Sequence, residues 1–287
     1  MTFPLSPAGH VYPVRRSVRR PDEVHLAAIT SAQLAGIPRE GAVPSQFYPP
    51  IWDQGAVGDC TAHGVGRAYE IARRTAGFQA MDPSRPFLYD LTRLYENTPL
   101  SQDSGAMVPD VPAVLAASGC CDASLFPNSQ VFDGDLVTPP DATVLAAAAP
   151  HKVTAWARPS HLPEALIVSL AAGQAVPFGF DVYSSFESPT VATTGVVPVP
   201  ASGETLLGGH CMCIVGWNIT APAGPHADGL WGWFQDRLDG SVPEDGYFVV
   251  ANSWGTGWGL GGYCQFPFAL FRNGMAYDPC VIQTVQG

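Results

Sequence analysis

The chain has no run of about 18 apolar residues, the length a bilayer-spanning helix requires, and its first ten residues lack a positively charged segment leading into an apolar one. Neither a transmembrane helix nor a secretory leader is read from it. No membrane partner is expected, and cytoplasmic residence is the default, with leaderless export left open. Charge is sparse, at 14% of residues, and lysine is absent from residues 1–40, where Arg15, Arg16, Arg19, Arg20 and Arg39 stand against Asp22, Glu23 and Glu40. That segment carries +2 of a net −11, so the remainder holds −13. Four clustered arginines are too thin a footprint for a nucleic-acid partner, and an arm docked on its own acidic body is the better expectation. Seven cysteines in 287 residues do not amount to a disulfide scaffold. Internal repeats and low-complexity tracts are also missing.

Apolar material is plentiful: 46% of residues are hydrophobic and 10% aromatic, enough for a large core divided between two lobes. Thirty glycines and 28 prolines make the architecture loop-rich. Residues 1–43 read as an extended arm with at most a short helix from Asp22 to Ala35, capped by Asp22. Residues 44–149 hold a helix from Cys60 to Ala76 with Asp59 as N-cap and Gly77 as stop, then helices over Pro86–Tyr95 and Val108–Ala117. Thr138 to Ala149 reads as the crossing between lobes. Beyond it, residues 150–287 carry a helix over Leu162–Ala172 and then short strands at Val176–Phe180, Cys211–Trp217, Tyr247–Ala251 and Gly262–Phe266.

The chemistry converges on Cys60. A thiol becomes a strong nucleophile only as a thiolate, so something must lower its pKa from about 8.5. A position at a helix N-terminus supplies part of that through unsatisfied N–H groups. An imidazolium supplies the rest, and His210, opening the alternating strand Cys211-Met212-Cys213-Ile214-Val215, is placed for rigid presentation from the second lobe. Asn252 follows in Asn252-Ser253-Trp254-Gly255-Thr256-Gly257-Trp258-Gly259, and Gln54 stands six residues before the cysteine.

Cys, then His, then Asn, in that order and with that Gln, resembles the papain-like cysteine peptidases of the short bacterial type. The matching segments are Trp52-Asp53-Gln54-Gly55, Asp59-Cys60-Thr61-Ala62, Asp103-Ser104-Gly105-Ala106, Leu207-Gly208-Gly209-His210 and Asn252 through Tyr263. The resemblance implies an α+β, two-lobed fold: a mainly helical N-terminal lobe, a β-rich, barrel-like C-terminal lobe, and the active site in the cleft between them. It implies peptide-bond hydrolysis through a thioester on Cys60, with no metal and no cofactor. Asn252 would orient His210 by accepting from Nδ1–H, Trp254 would shield that bond, and Gln54 with the Cys60 N–H would form the oxyanion hole. A peptide or protein substrate would lie along Gly105 and Ala106, with Met107, Val108 and Gly209 lining its pocket.

The sequence departs from the better-known pattern in several places. Val57 stands where extracellular relatives carry a disulfide cysteine, and Thr61 replaces the aromatic after the nucleophile. Asp59 disfavours ionisation of its neighbour. Asn252 follows His210 by a long interval whose excess, residues 218–245, reads as a surface insertion. The arm is short for an inhibitory prosegment, yet one running through the cleft would block it. Other readings are a transpeptidase or isopeptidase using the same thiol, and a catalytically silent peptide-binding protein. His63 is a rival base without an evident orienting partner. Cys211 and Cys213 read as buried strand residues rather than zinc ligands, Cys120 and Cys121 cannot readily bridge each other, and the sequon at Asn218 matters only outside the cell.

Overall fold

The helix at the cysteine forms as expected. In the computed structural model α1 spans Cys60–Thr75, and every residue from Cys60 to Ile71 is buried, so the helix is enclosed on all sides rather than striped. Two interior glycines cost about 1 kcal/mol each relative to alanine. At Gly64 the reason is contact: a Cβ there would lie 2.7 Å from the Cys211 sulfur, so only glycine lets the first turn close against the strand that carries His210. Gly77, at φ +85°, ends the helix in left-handed backbone. Asp59 precedes the helix but makes no capping bond. Its carboxylate lies instead 3.3 Å from His63 Nε2, one turn on.

The structure describes residues 6, 9–18, 20–21, 23–30, 33, 36–219 and 246–287. Around α1 pack α2 (Arg85–Tyr95), capped by Ser84 accepting from the Phe87 N–H, and α3 (Asp110–Ser118). The stretch read as a plain crossing contains a further helix, α4 (Ala142–Ala148), whose Asp141 accepts from the N–H groups of Thr143 and Val144. Residues 23–30 form no helix. Leu26 donates to the Arg158 carbonyl and Arg158 donates to that of Val24, so pairing with the body overrides local preference. The Asp22 cap itself lies outside the described residues.

The second lobe adds α5 (Pro163–Ala171), α6 (Pro189–Thr194) and α7 (Phe268–Arg272) to a sheet. Its strands are β1 (Glu40–Ala42), β3 (Val176–Tyr183), β4 (Leu206–Ile219), β5 (Gly246–Ala251), β6 (Tyr263–Pro267) and β7 (Ala276–Tyr277), in the order β6-β5-β4-β3-β7 with β1 on β4. A separate pair, β2 (Val153–Ala157) and β8 (Val281–Val285), returns the end of the chain to α1. Phe178, Phe248, Phe266 and Phe271 interlock edge to face and tilted in the lobe's core, holding β4 rigid. The architecture is the α+β two-lobed one. Among the described residues no helix is long and apolar enough to cross a membrane.

Arg93 fastens the helical lobe's loop. Fully buried, it pairs with Asp90 Oδ1 at 2.5 Å and donates to the carbonyls of Leu100 (3.0 Å), Gln102 (2.8 Å) and Leu136. Removing the cation takes one partner from a buried carboxylate and from three carbonyls. Arg93→Met is expected to lower the unfolding free energy by about 3–5 kcal/mol in urea titration; a loss below 1 kcal/mol contradicts the clamp.

Candidate active site

Two loops zip together to bring Gln54 to Asn252. The Gln54 N–H donates to the Ser253 carbonyl at 2.9 Å, the Ser253 hydroxyl donates to Gln54 Oε1 at 2.5 Å, and the Gly255 N–H donates to the Trp52 carbonyl at 3.0 Å. With Oε1 held, the Gln54 amide nitrogen points the other way and donates one of its two hydrogens to the Val57 carbonyl at 2.7 Å. Asn252 is fixed from its other side, since its Oδ1 accepts from the Ser253 N–H at 2.8 Å.

That same Oδ1 lies 2.9 Å from His210. The nitrogen involved is Nε2, not the Nδ1 expected. The difference is one of ring orientation: β4 presents the imidazole so that Nε2 faces Asn252, leaving Nδ1 with no hydrogen-bond partner. Trp254 stacks on the His210 ring at 4.9 Å and 26°. The first turn of α1 closes on the residue next to His210, since a Cβ on Gly64 would lie 2.7 Å from the sulfur of Cys211. The α1 N-terminus and the histidine strand therefore meet at one point.

Both reacting groups are sealed. Cys60 and His210 have no exposed surface. Burial pushes the thiol pKa up, and the nearby charges of Asp59 and Asp103 add to the rise. Burial also drives His210 down to about 3, opposed by the bond to Asn252 and helped by the charges of His10 and His63. In this state the pair is a neutral thiol and a neutral imidazole.

The seal is the arm. Gly209 donates to the Tyr12 carbonyl at 3.1 Å and accepts from the Val14 N–H at 3.0 Å, so Tyr12 to Val14 run as a strand beside β4. Pro13 lies on Gly105, where a Cβ would come within 2.2 Å of the Pro13 carbonyl oxygen. The His10 ring lies flat on Trp254, centroids 3.7 Å apart. Further along, Arg15 pairs with Glu96, Arg16 with Asp181 at 2.7 Å and Arg20 with Asp110 at 2.7 Å, while Asp278 accepts from the Ser17 N–H and hydroxyl. A basic arm sits on acidic partners.

A chain of this order and geometry has relatives. A family model described as papain family cysteine protease matches residues 141–280. An uncharacterized peptidase C1-like protein of Acanthamoeba polyphaga mimivirus is 31% identical over 248 residues, covering 81% of this chain and 69% of the relative. The chain belongs to the papain family of cysteine peptidases. The crystal structure of xylellain, a cysteine protease from Xylella fastidiosa, superposes with a TM-score of 0.80 at 25% identity over 96% of both chains. A digestive procathepsin L2 proteinase from the larval midgut of Tenebrio molitor shares the fold, with a TM-score of 0.67 at 20% identity, over 96% of this chain and 79% of the other.

In the peptidase, Gly105 and Ala106 border the arm-filled groove, but the Gly105 N–H is already given to the Tyr89 hydroxyl at 2.8 Å. Ala106 and Val108 are buried in the core, and the Met107 N–H donates to Glu96 at 2.7 Å. Two residues tie this segment to the loop before Cys60. Asp103 accepts from the Gly58 N–H at 2.9 Å and from the Tyr89 hydroxyl at 2.6 Å. Asp103 stood in a matching segment without a role of its own, and Tyr89, within α2, carried no signal. His63, judged to lack an orienting partner, has Asp59. All seven cysteines are buried free thiols, and among the described residues no group of three or more His, Cys, Asp or Glu is arranged to hold a metal. The insertion beyond Ile219 falls outside the described residues apart from its first two positions.

Proposed function

We propose that the peptidase hydrolyses peptide bonds through a thioester on Cys60, with His210 as the proton carrier, Asn252 as its orienting partner, and the arm as an intramolecular occupant of the substrate groove. The observation that carries this reading is the His210 Nε2 to Asn252 Oδ1 bond, which leaves Nδ1 without a hydrogen-bond partner in the protein. With the arm displaced, water reaches both groups and the cost of charging them falls. Nδ1 takes the proton from the sulfur, and the thiolate at the α1 N-terminus adds to the scissile carbonyl carbon. The developing oxyanion is received by the Cys60 N–H and the second hydrogen of the Gln54 amide. As the tetrahedral centre collapses, the C–N bond breaks and the amine leaves with the proton from Nδ1. A water then gives its proton to Nδ1 and attacks the thioester, releasing the carboxylic acid and restoring the thiol.

Asn252 holds the ring throughout and stabilises its protonated form. Asn252→Ala is expected to lower kcat by about 100-fold with KM nearly unchanged, because the loss falls on a bond that strengthens only in the transition state. Steady-state kinetics on a fluorogenic peptide decide it. A rise in KM at constant kcat places Asn252 in substrate binding instead.

The arm is held on both sides of Pro13, by the Tyr12 carbonyl and the Val14 N–H on Gly209. A peptide that takes this groove must outcompete those bonds and the ion pairs of Arg15, Arg16 and Arg20.

A further inference from the structure

The groove holds a carboxylate whose function is not accounted for by the hydrolytic set. Glu187 closes a short 3-10 turn, Ser184–Glu187, that follows β3. The turn is anchored by Phe186, which is buried and packs edge-on against Trp254 at 5.6 Å and tilted against Trp258 at 5.7 Å. Glu187 is thus presented at a fixed place beside the Trp254 ring. Its side chain is only 7% exposed. The hydroxyls that donate to it come from the arm, those of Ser6 and of Tyr12, the latter at 2.5 Å, and the His10 ring stands beside it with Nδ1 3.4 Å from its carboxylate. His10 at the same time covers the Trp254 face, parallel within 5°. One planar ring and two hydroxyls thus cover a carboxylate and an indole together.

That pairing has a consequence once the arm leaves. A carboxylate can be covered again only by something that supplies donors, because a buried carboxylate without them is strongly disfavoured. An apolar or acidic side chain lying on Trp254 leaves Glu187 without a partner. A flat, donor-bearing side chain replaces what the arm gave. His10 serves imperfectly, since burial holds its ring below the usual histidine pKa even beside Glu187. A guanidinium keeps its charge, forks onto a carboxylate and stacks on indole.

We propose that Glu187 and Trp254 form a specificity subsite that selects, in the substrate peptide, an arginine first and histidine or tyrosine next at the position that lies on Trp254. This rests on the reading that substrate replaces the arm along the same groove. A site built around hydrogen bonds rejects side chains that lack donors by more than an apolar pocket rejects a misfit, so discrimination of about tenfold or greater is expected. The acidic charge of the chain outside the arm favours the same class of peptide.

The test compares the full-length protein with Glu187→Gln on a randomised peptide library, reading cleavage positions by mass spectrometry. The wild type is expected to show one position, at a fixed offset from the cut bond, enriched about tenfold in arginine, histidine and tyrosine over alanine, leucine and glutamate. Glu187→Gln loses that enrichment and keeps the preferences at other positions. Because the same substitution loosens the arm, turnover of a peptide with alanine at that position rises rather than falls. A uniform drop on all peptides means a structural role, and an unchanged profile removes Glu187 from recognition; either overturns the proposal. A second arm needs no cleavage: the library is captured on full-length Cys60→Ala and on Cys60→Ala/Glu187→Gln. Arginine-rich retention by the first alone upholds the subsite even if hydrolysis itself is not seen, and equal retention by both sinks it.

Discussion

Cys60→Ala is expected to lose peptide hydrolysis by about 10⁴-fold or more, with the fold and thermal midpoint nearly unchanged. In the proposed mechanism the sulfur carries the acyl intermediate, so what remains after its removal is whatever the oxyanion donors and groove achieve with water alone. His210→Ala is expected to fall by a similar factor, and combining the two should add little, because nucleophile and proton carrier act as one unit. His63→Ala is the control that separates the two histidines. His63 faces Asp59 through Nε2 at 3.3 Å, whereas the ring bonded to Asn252 is His210. Turnover in His63→Ala should stay within about tenfold of the wild type, the range of one lost polar contact outside the reacting groups. Loss of activity in His63→Ala with survival in His210→Ala reverses the assignment.

Deleting residues 1–36, which spares the β1 pairing with β4, is expected to raise turnover by about 100-fold. The figure follows from what the docked arm buries. Val11, Tyr12 and Val14 are each less than 10% exposed, and a fully buried side chain of this size contributes about 1.5–3 kcal/mol. Ordering the backbone takes back about 1–2 kcal/mol per residue. A net preference of a few kcal/mol for the docked state leaves about 1% of molecules open. The thiol reports the change independently. In the full chain burial raises the Cys60 pKa, with Asp59 and Asp103 adding to it, so alkylation by iodoacetamide should be slow at pH 7 and still climbing above pH 9. Without the arm the burial contribution goes, and the rate should level off below about pH 8.5. Equal turnover and equal alkylation profiles in the two proteins dismiss the arm as an occupant.

How far the sequence could be read depended on the kind of interaction at each place. Cys60, His210, Asn252 and Gln54 could be picked out as candidates because their order and spacing resemble a family pattern, and the helix at the cysteine because its apolar spacing and Gly77 are local signals. β2 and β8 were not, since Val153–Ala157 and Val281–Val285 pair across the whole chain and neither stretch announces a partner. The ring nitrogen facing Asn252 was misjudged because the side-chain rotamer, which the sequence does not fix, sets which edge of an imidazole is presented. Asp59 looked like a cap and became a partner of His63, a choice made by burial. Glu187 and His10 carried no motif at all. Their contact joins residues 177 positions apart, and only the path of the arm brings them together.

The central claim is that a thioester on Cys60 lies on the reaction path. The most direct measurement is rapid-quench intact mass spectrometry of the full-length peptidase with an activated peptide ester, followed by digestion to locate the adduct. The account predicts an acyl mass that rises and decays at the rate of turnover, maps to Cys60, and is absent in Cys60→Ala. Turnover without any adduct at Cys60, or an adduct carried by another residue, contradicts it.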